Sequence, residues 1–416
     1  MSGENMRDVA SAGMCQDVAS TEELAGLVRQ ALAKRRPLVD YGVAHGGLGH
    51  APPALHTRFR LRGATIQHYL ADCTVRAATG ITMGQLAAAL APHRQFVPID
   101  ADDDLTLGEC IVHNVYGPLR QGYGMMRDLL LGLRYLDGQG RDIRVGGRTV
   151  KNVAGYDVTR LLVGSLGELG IVHEATLRTY AMPEQTLEAH LAVIDLSAMD
   201  ERITPWLLSD ARSQSLSVEW RGRGWRAYLG YFGPIKACAT QLRALEEFLG
   251  PTRRMLLSDT KTAMAQEHRQ ETSRRRSWRR QATALVKILI PPATTGAFCA
   301  ALTAGVRNAP SLRIDALPAF GCVFAGGDLD AGATLQLEAR IQQWIGPRGG
   351  MRIWHQRPAE TVPQLAPVAP TPSDMPMLVR LKRIMDPQGI FNPGRYLPAG
   401  DSDSSGATSH AMEVPA

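Results

Sequence analysis

The chain lacks any closely spaced cysteines. Cys15, Cys73, Cys110, Cys238, Cys299 and Cys322 never form a C-x-x-C pair. That spacing excludes the usual zinc and iron–sulfur ligand sets, and no metal site is expected. The six read as small buried apolar residues in a reducing compartment. Long apolar runs are missing too: no stretch reaches the roughly 18 residues of a membrane helix. The opening MSGENMRDVASAGMCQ does not have the charged-then-apolar order of a signal peptide. A cytoplasmic protein is expected. There is no phosphate-binding G-x-x-x-x-G-K-S/T motif. The single G-x-G-x-x-A, Gly222–Ala227, falls in an expected hairpin turn with no helix behind it, which is the wrong setting for a dinucleotide fingerprint.

What is present is globular in character, with 44% hydrophobic and 21% charged residues. A length of 416 residues is too long for one ordinary core, so two domains are expected. The net charge is +6, and five of the positive charges sit in the arginines of Arg274–Arg280. The rest of the chain is near neutral. The basic character is therefore local and excludes a nucleic-acid surface spread over the fold. The arginine run reads as a solvated or partner-facing loop.

Patterning gives a coarse order of elements. Ser20 and Glu23 frame a helix start, with Leu24, Leu27, Val28, Ala31 and Leu32 on one face. A short strand around PLVD, a turn-broken pair in IQHYLADCTVRAATG, and a second amphipathic helix ending before Pro92 follow. The hairpin LLLGLRYLDGQGRDIRVGG turns at Asp137–Gly140, and Ile171–Tyr180 is a strand. Beyond about residue 183 the pattern changes to hairpins, a helix closed by Gly250, the buried strand ATALVKILIPP and the helix ATLQLEARIQQWIG.

Three glycine-bearing stretches stand out: YGVAHGGLGH, TLGECIVHNVYG and GSLGELGIV. Glycine permits φ > 0 and close approach of backbone, and consecutive N–H groups form an anion nest. One such loop is an ordinary turn. Three within 130 residues point to a bound dinucleotide.

GRTVKNVAGYDVTRLLVGSLGELGIVHEATLR resembles the third flavin-binding stretch of the PCMH-type FAD oxidoreductases, the vanillyl-alcohol oxidase fold. VKNVAGYD with GSLGELG is similar to the branch of FAD-binding subunits of bacterial glycolate dehydrogenases. TLGECIVHNVYGPLRQGYGMMRDLLLG, LVKILIPPA and LKRIMDPQGIFNPGR extend the likeness, whereas residues 183–330 resemble the family only weakly. The resemblance implies an α+β fold in which two subdomains hold FAD beneath an α+β cap. It divides the chain into an arm at 1–18, an FAD domain at 19–182, a cap at 183–380, a return to the FAD domain at 381–398 and a disordered tail at 399–416. It places a pyrophosphate loop at Gly42, Val43, Ala44, His45, Gly46 and Gly47. The second strip is Asp100, Thr106, Leu107, Gly108, Asn114 and Gly117, with Tyr123, Gly124 and Asp128 behind it. The third is Gly164, Gly167, Gly170, Ile171 and Val172. Asn392 closes over the flavin edge.

The implied reaction is oxidation of a small 2-hydroxy acid, with electrons leaving through FAD to a partner. The implied partners are a catalytic flavoprotein subunit and an iron–sulfur subunit, with membrane association at most through them. The chain departs from the family at Val43 and Ala44, which stand where glycines are usual, and at Glu109, a carboxylate close to the expected pyrophosphate. Phe324 stands where catalytic relatives carry a metal-binding histidine. His45, at a position where some relatives tether FAD, reads as a loop residue; His113 reads as structural and His173 as a strand residue. No catalytic residue is assigned. A non-catalytic assembly subunit with a degenerate flavin site, and a stand-alone oxidase of alcohols or sugars, remain open.

Overall fold

The computed structural model describes residues 15–40, 56–147 and 157–397, apart from 194, 223, 251–254, 261–272, 274, 305–310, 362–364 and 367. Residues 1–14 of the arm, the pyrophosphate loop Gly42–Gly47 and the tail 399–416 lie outside the described residues.

The helix Thr21–Lys34 begins as its sequence requires. The Ser20 hydroxyl accepts the Glu23 N–H at 3.1 Å, and Leu24, Leu27, Val28 and Ala31 are buried. It packs on a parallel three-stranded sheet with the order Gln16–Val18, Thr57–Leu61, Leu38–Asp40. A fourth stretch comes from the far end of the chain. Leu38 pairs with Phe391 in a parallel bridge, the Leu38 N–H donates to the Ile390 carbonyl, and the Asn392 N–H donates to the Leu38 carbonyl.

A five-stranded antiparallel sheet runs in the order Ile66–Tyr69, Thr74–Ala78, Ile171–Arg178, Leu130–Leu136, Asp142–Gly146. The expected helix before Pro92 is Met83–Leu90, opened by a capping box of Thr82 and Gln85. Its buried Met83, Leu86 and Leu90 fill the core of this lobe with Val75, Ala77 and Leu177.

Gln95–Phe96 and Tyr180–Ala181 form a two-stranded antiparallel sheet, and the strands between Gln185 and Ala369 form one nine-stranded sheet. One face is covered by the helices Leu196–Leu207, Ile235–Leu249, Thr295–Thr303 and Ala331–Arg348, through residues such as Trp206, Leu245, Phe298 and Ile341. Trp225 pairs with Trp220 across the turn that holds Gly222 and Gly224, so the G-x-G-x-x-A lies in a hairpin. The other face is polar and meets the first lobe. It presents Glu219, Asp315, Phe324 and Lys287 in register across four strands.

The arginine run corrects the expectation of a solvated docking loop. Arg275 is 8% exposed and bidentate to Glu188 at 2.6 and 2.9 Å. Arg279 pairs with Asp315 at 2.8 Å, and Arg280 reaches Asp102 at 3.2 Å and also Asp104. Arg276 lies beside Asp100, 3.7 Å away. The run is drawn in because it sits between two carboxylate sets, one on the large sheet and one on the first lobe. Its positive charge is local because it is matched by those carboxylates. An apolar cluster of Tyr116, Met125, Trp278, Leu285, Leu317, Cys322 and Phe324 completes the seam between the lobes.

Candidate functional site

The short helix Leu107–Val112 carries the second strip. Thr106 caps it by accepting the Glu109 N–H at 3.2 Å, and the Glu109 carboxylate accepts the Thr106 N–H at 2.6 Å. Glu109 is thus occupied at its own helix start, and its charge offsets the helix N-terminus. This removes one support of a degenerate-site reading. Gly108 packs against Thr79, whose hydroxyl donates to the Val172 carbonyl at 2.8 Å. Leu107, Ile171 and Val172 are core residues. Second and third strips are therefore laced together from below.

They are laced from the side as well. The Gly164 N–H donates to the Ile111 carbonyl at 3.0 Å and the Leu166 N–H to the Val112 carbonyl at 2.9 Å. At this junction the backbone turns left-handed at Asn114, Gly164, Leu166 and Gly167, with φ of 49°, 79°, 53° and 69°. For Gly164 and Gly167 this conformation is cheap; for Leu166 it is a strained one held by its packing with Val112, Ile353 and Tyr396. Asn392, also left-handed, is spent between two strips. Its Oδ1 accepts the Asp40 N–H at 3.0 Å and its Nδ2 donates to the Gly167 carbonyl at 3.1 Å. Asp40 is the last described residue before the first loop. Asn392 thus fixes the root of that loop against the third strip.

Gly170 is glycine for another reason. A Cβ there would lie 2.8 Å from the Tyr135 ring and 3.0 Å from the Leu136 carbonyl. Gly170→Val is expected to lower the thermal midpoint of the apo-protein along with FAD content. A loss of FAD content alone, by absorbance after gel filtration, would place a cofactor contact there instead.

Asn114, Gly164, Gly167 and Asn392 come together at one junction. Asp100 and Gly117 lie at its flank: the buried Asp100 Oδ2 accepts the Leu119 N–H at 2.7 Å, and a Cβ on Gly117 would meet Asp100 and the Arg276 guanidinium. Tyr123 sits apart, in an aromatic seam with Phe96, Tyr180 and Phe232, and burial pushes its hydroxyl up to about 12. Asp128 accepts the Met125 N–H at 2.9 Å and lines the turn at Gly124. His173 pairs with Asp142 at 3.0 Å on the strand face.

Glu168 is a buried carboxyl within the third strip. Its Oε1 accepts the N–H groups of Tyr396 and Leu397 at 2.5 and 3.2 Å. Burial, opposed by the Tyr396 N–H and the Lys382 ammonium, pushes its pKa up to about 7. The folded state therefore holds a proton that the unfolded state releases first. This contribution to stability is full below the ordinary carboxyl range and is lost as pH rises through about 7. Glu168→Gln is expected to remove that fall, so the variant gains on the wild type between pH 5 and pH 8 in urea denaturation. An unchanged difference would overturn the assignment.

Two residues that the sequence reading passed over complete the site. Lys287 lies in the strand Ala284–Leu289, opposite Phe324. Its ammonium is 4.5 Å from the Tyr116 ring centre and 6.0 Å from that of Phe324. Burial, with Arg120 and Arg279 nearby, lowers its pKa. The His355 ring centre is 6.2 Å from that of Phe324. Neither side chain has an ion pair or hydrogen bond among the described residues, and both are half-buried. A single lysine inside ALVKIL was the legible signal.

Residues 17–146 match the FAD binding domain family. The match covers less than half of the chain, and the similarity it shows is to FAD-dependent oxidoreductases with a PCMH-type domain. The chain is 29% identical over 241 residues to glycolate oxidase subunit GlcE of Escherichia coli, covering 57% of the chain and 68% of GlcE. It is 32% identical over 186 residues to glycolate oxidase subunit GlcD of Bacillus subtilis, covering 43% of the chain and 40% of GlcD. It is 32% identical over 166 residues to a D-lactate dehydrogenase of Archaeoglobus fulgidus, covering 39% of the chain and 37% of that protein. The chain thus spans well under half the length of the last two. An alkyldihydroxyacetonephosphate synthase shares the fold at a TM-score of 0.63 and 15% identity, over 91% of this chain and 76% of that one. A structure titled FgChi7B does so at 0.67 and 15%, over 92% and 91%.

The cofactor of this family is FAD, and the junction fits it. The Asn114 Oδ1 is buried with no hydrogen-bond partner among the described residues, an acceptor free for a donor such as a ring N–H of a flavin. The left-handed backbone around it leaves room for close approach. No helix among the described residues is long and apolar enough to cross a membrane.

Proposed function

We propose that this chain is the FAD-binding subunit of an enzyme that oxidises glycolate or a similar short 2-hydroxy acid to the 2-oxo acid. The observation that carries the reading is Lys287, a half-buried ammonium without a carboxylate partner among the described residues, beside Tyr116 where the large sheet meets the first lobe. A half-buried, unpaired charge is costly, and a substrate carboxylate relieves that cost. Likeness to GlcE, a glycolate oxidase subunit, supports the same reading. We divide the chain into an FAD domain at 19–182, a cap at 183–380 and a return at 381–398, in the cytoplasm.

Asn114 and the left-handed turn at Gly164–Gly167 hold the flavin edge, and Asn392 positions the strips that do so. Bound FAD supplies a two-electron acceptor. Lys287 orients the acid by its carboxylate, and the rings of Tyr116 and Phe324 flank its ammonium. We place a catalytic flavoprotein subunit and an iron–sulfur subunit as partners that take the electrons on, since the chain has no cysteine set of its own.

Anaerobic mixing of the FAD-loaded chain with glycolate or D-lactate is expected to bleach the flavin once and then stop. Turnover with an artificial electron dye is expected to need the partner subunits. Sustained turnover by the isolated chain at about 1–10³ per second would overturn the subunit reading. Failure of every short 2-hydroxy acid to bleach the flavin would overturn the substrate class.

A further inference from the structure

We propose that the arginine run is an ionic latch between the large sheet and the first lobe. It stays with the large sheet, and its release from Asp100, Asp102 and Asp104 uncovers the flank of the cofactor junction.

The run divides its side chains by helical spacing. Arg275, Trp278 and Arg279 turn to the large sheet. Arg275 holds Glu188 and lies 3.6 Å from Glu219, and its own carbonyl accepts from Arg221 at 2.9 Å. The Trp278 ring N–H and the Arg279 guanidinium both donate to Asp315, at 3.1 and 3.0 Å. Arg279 also stacks 3.8 Å from the Phe324 ring centre. Ser273, Arg276 and Arg280 turn the other way. The Ser273 hydroxyl donates to Asp102. Arg276 donates to the Asp100 carbonyl at 3.3 Å, and Arg280 donates to Asp102 at 3.2 Å and to Asp104 at 2.7 Å. One short segment thus carries two opposed sets of contacts.

The two sets are unequal. Glu188, Glu219 and Asp315 are all buried, where salt screens a charge pair least. On the other side the Arg280 and Asp104 side chains are 48% and 65% exposed, so their pair is weak and readily screened. Arg276 is better covered, but its guanidinium stands 3.7 Å from the Asp100 carboxylate, beyond hydrogen-bond distance. Burial works against the charge of both Arg275 and Arg276. At Arg275 the Glu188 carboxylate overrides it and the pKa is raised; at Arg276 burial prevails over Asp100 and the pKa is lowered. The latch therefore parts on the side of the first lobe. Other contacts between the lobes are neutral or apolar: Tyr123 stacks on Phe232, the Gln121 amide donates to the Ser213 carbonyl at 2.7 Å, and the apolar seam surrounds Tyr116. Screening of charge leaves these in place while the arginine edge opens.

The edge that opens lies on the second strip. Arg276 rests against Asp100 and Gly117, and a Cβ on Gly117 would meet both. Gly117 follows by three residues the Asn114 whose buried Oδ1 marks the junction. Withdrawal of Arg276 and Arg280 frees residues 100–104 and 117 from their cover. Ionic strength then sets how often the junction can release its dinucleotide.

The test follows FAD leaving the loaded protein, by the rise of free-flavin fluorescence, at about 0.1 M and about 1 M salt. Between these the screening length falls from about 10 Å to about 3 Å. Release is expected to quicken about three- to fivefold, the scale of an exposed ion pair. Arg280→Gln and Asp104→Asn, both at exposed positions, are expected to release FAD at low salt about as fast as the wild type does at high salt, and to lose most of the salt dependence. Arg280→Glu is expected to release it faster still, and adding Asp104→Arg to slow it again. Arg62→Gln removes a similarly exposed arginine, one paired with Asp17; it controls for net charge and is expected to keep the wild-type salt slope. Hydrogen exchange in the wild type is expected to rise with salt at 100–104 and 115–119 and to stay level at 186–190 and 215–219. A wild-type salt slope in both Arg280→Gln and Asp104→Asn would overturn the proposal, as would exchange that rises equally on both sides of the run.

Discussion

Replacing Arg275 by Ala is expected to destabilise the protein by about 3–5 kcal/mol, the scale for removing one partner of a buried ion pair. The guanidinium is bidentate to Glu188, lies 3.6 Å from Glu219, and stacks 4.2 Å from the Tyr228 ring centre. Glu188 and Glu219 are 7% and 3% exposed, so neither carboxylate recovers hydration when the arginine is lost. Glu219 retains Arg221 at 2.5 Å, and Glu188 retains the His190 imidazole at 2.6 Å. Burial, and then Asp315 nearby, already raises the Glu219 pKa; the variant is expected to raise it further. The loss should show in urea denaturation at pH 7. Pairing the change with Glu188→Gln is expected to restore a large part of it, because the penalty is the stranded charge rather than the missing contact. A loss under 1 kcal/mol in the single variant would mean that the pair is solvated.

Asn392→Ala is expected to cost about 2–4 kcal/mol and most of the bound FAD. The amide satisfies the Asp40 N–H and the Gly167 carbonyl at once, and Asn392 is 2% exposed. Each buried group left without a partner costs about 1–3 kcal/mol. Alanine also tolerates the left-handed backbone, φ 40°, less well than asparagine. The residue ties two strips together, so FAD retention on gel filtration should fall even at temperatures where circular dichroism reports a folded protein. Full FAD content in a folded variant would show that the strips are positioned without this bridge.

Much of the first lobe was legible because its signals are local. Ser20 and Glu23, the alternation before Asp137 and the glycines after Asp157 each act within a few residues. The glycine triplet was legible as a site, but its members proved unequal. Gly164 and Gly167 answer to φ, while Gly170 answers to the Tyr135 ring, a neighbour 35 positions away. The arginine run was misread for the same reason. Its carboxylate partners lie at 100–104, 188 and 315, and no spacing rule reaches that far. His355 was silent because a β-bulge, which makes it the inserted residue of its strand, leaves no mark in composition. Lys287 was visible as one charge in an apolar strand, but only the packing of Tyr116 and Phe324 around it makes it a candidate anion anchor.

The parallel sheet that begins at Gln16 closes on residues 390–392, and the link from Asp40 to Asn392 spans 352 positions. During synthesis on the ribosome the amino-terminal lobe therefore emerges long before its last stretch of backbone exists. The cap is free to fold while that lobe waits with an open sheet edge, a template for wrong pairing. Loop closure over such a span is slow. The stretch that ties Asp40 to Gly167 is thus the last to emerge, so firm cofactor retention is expected only at the end of maturation.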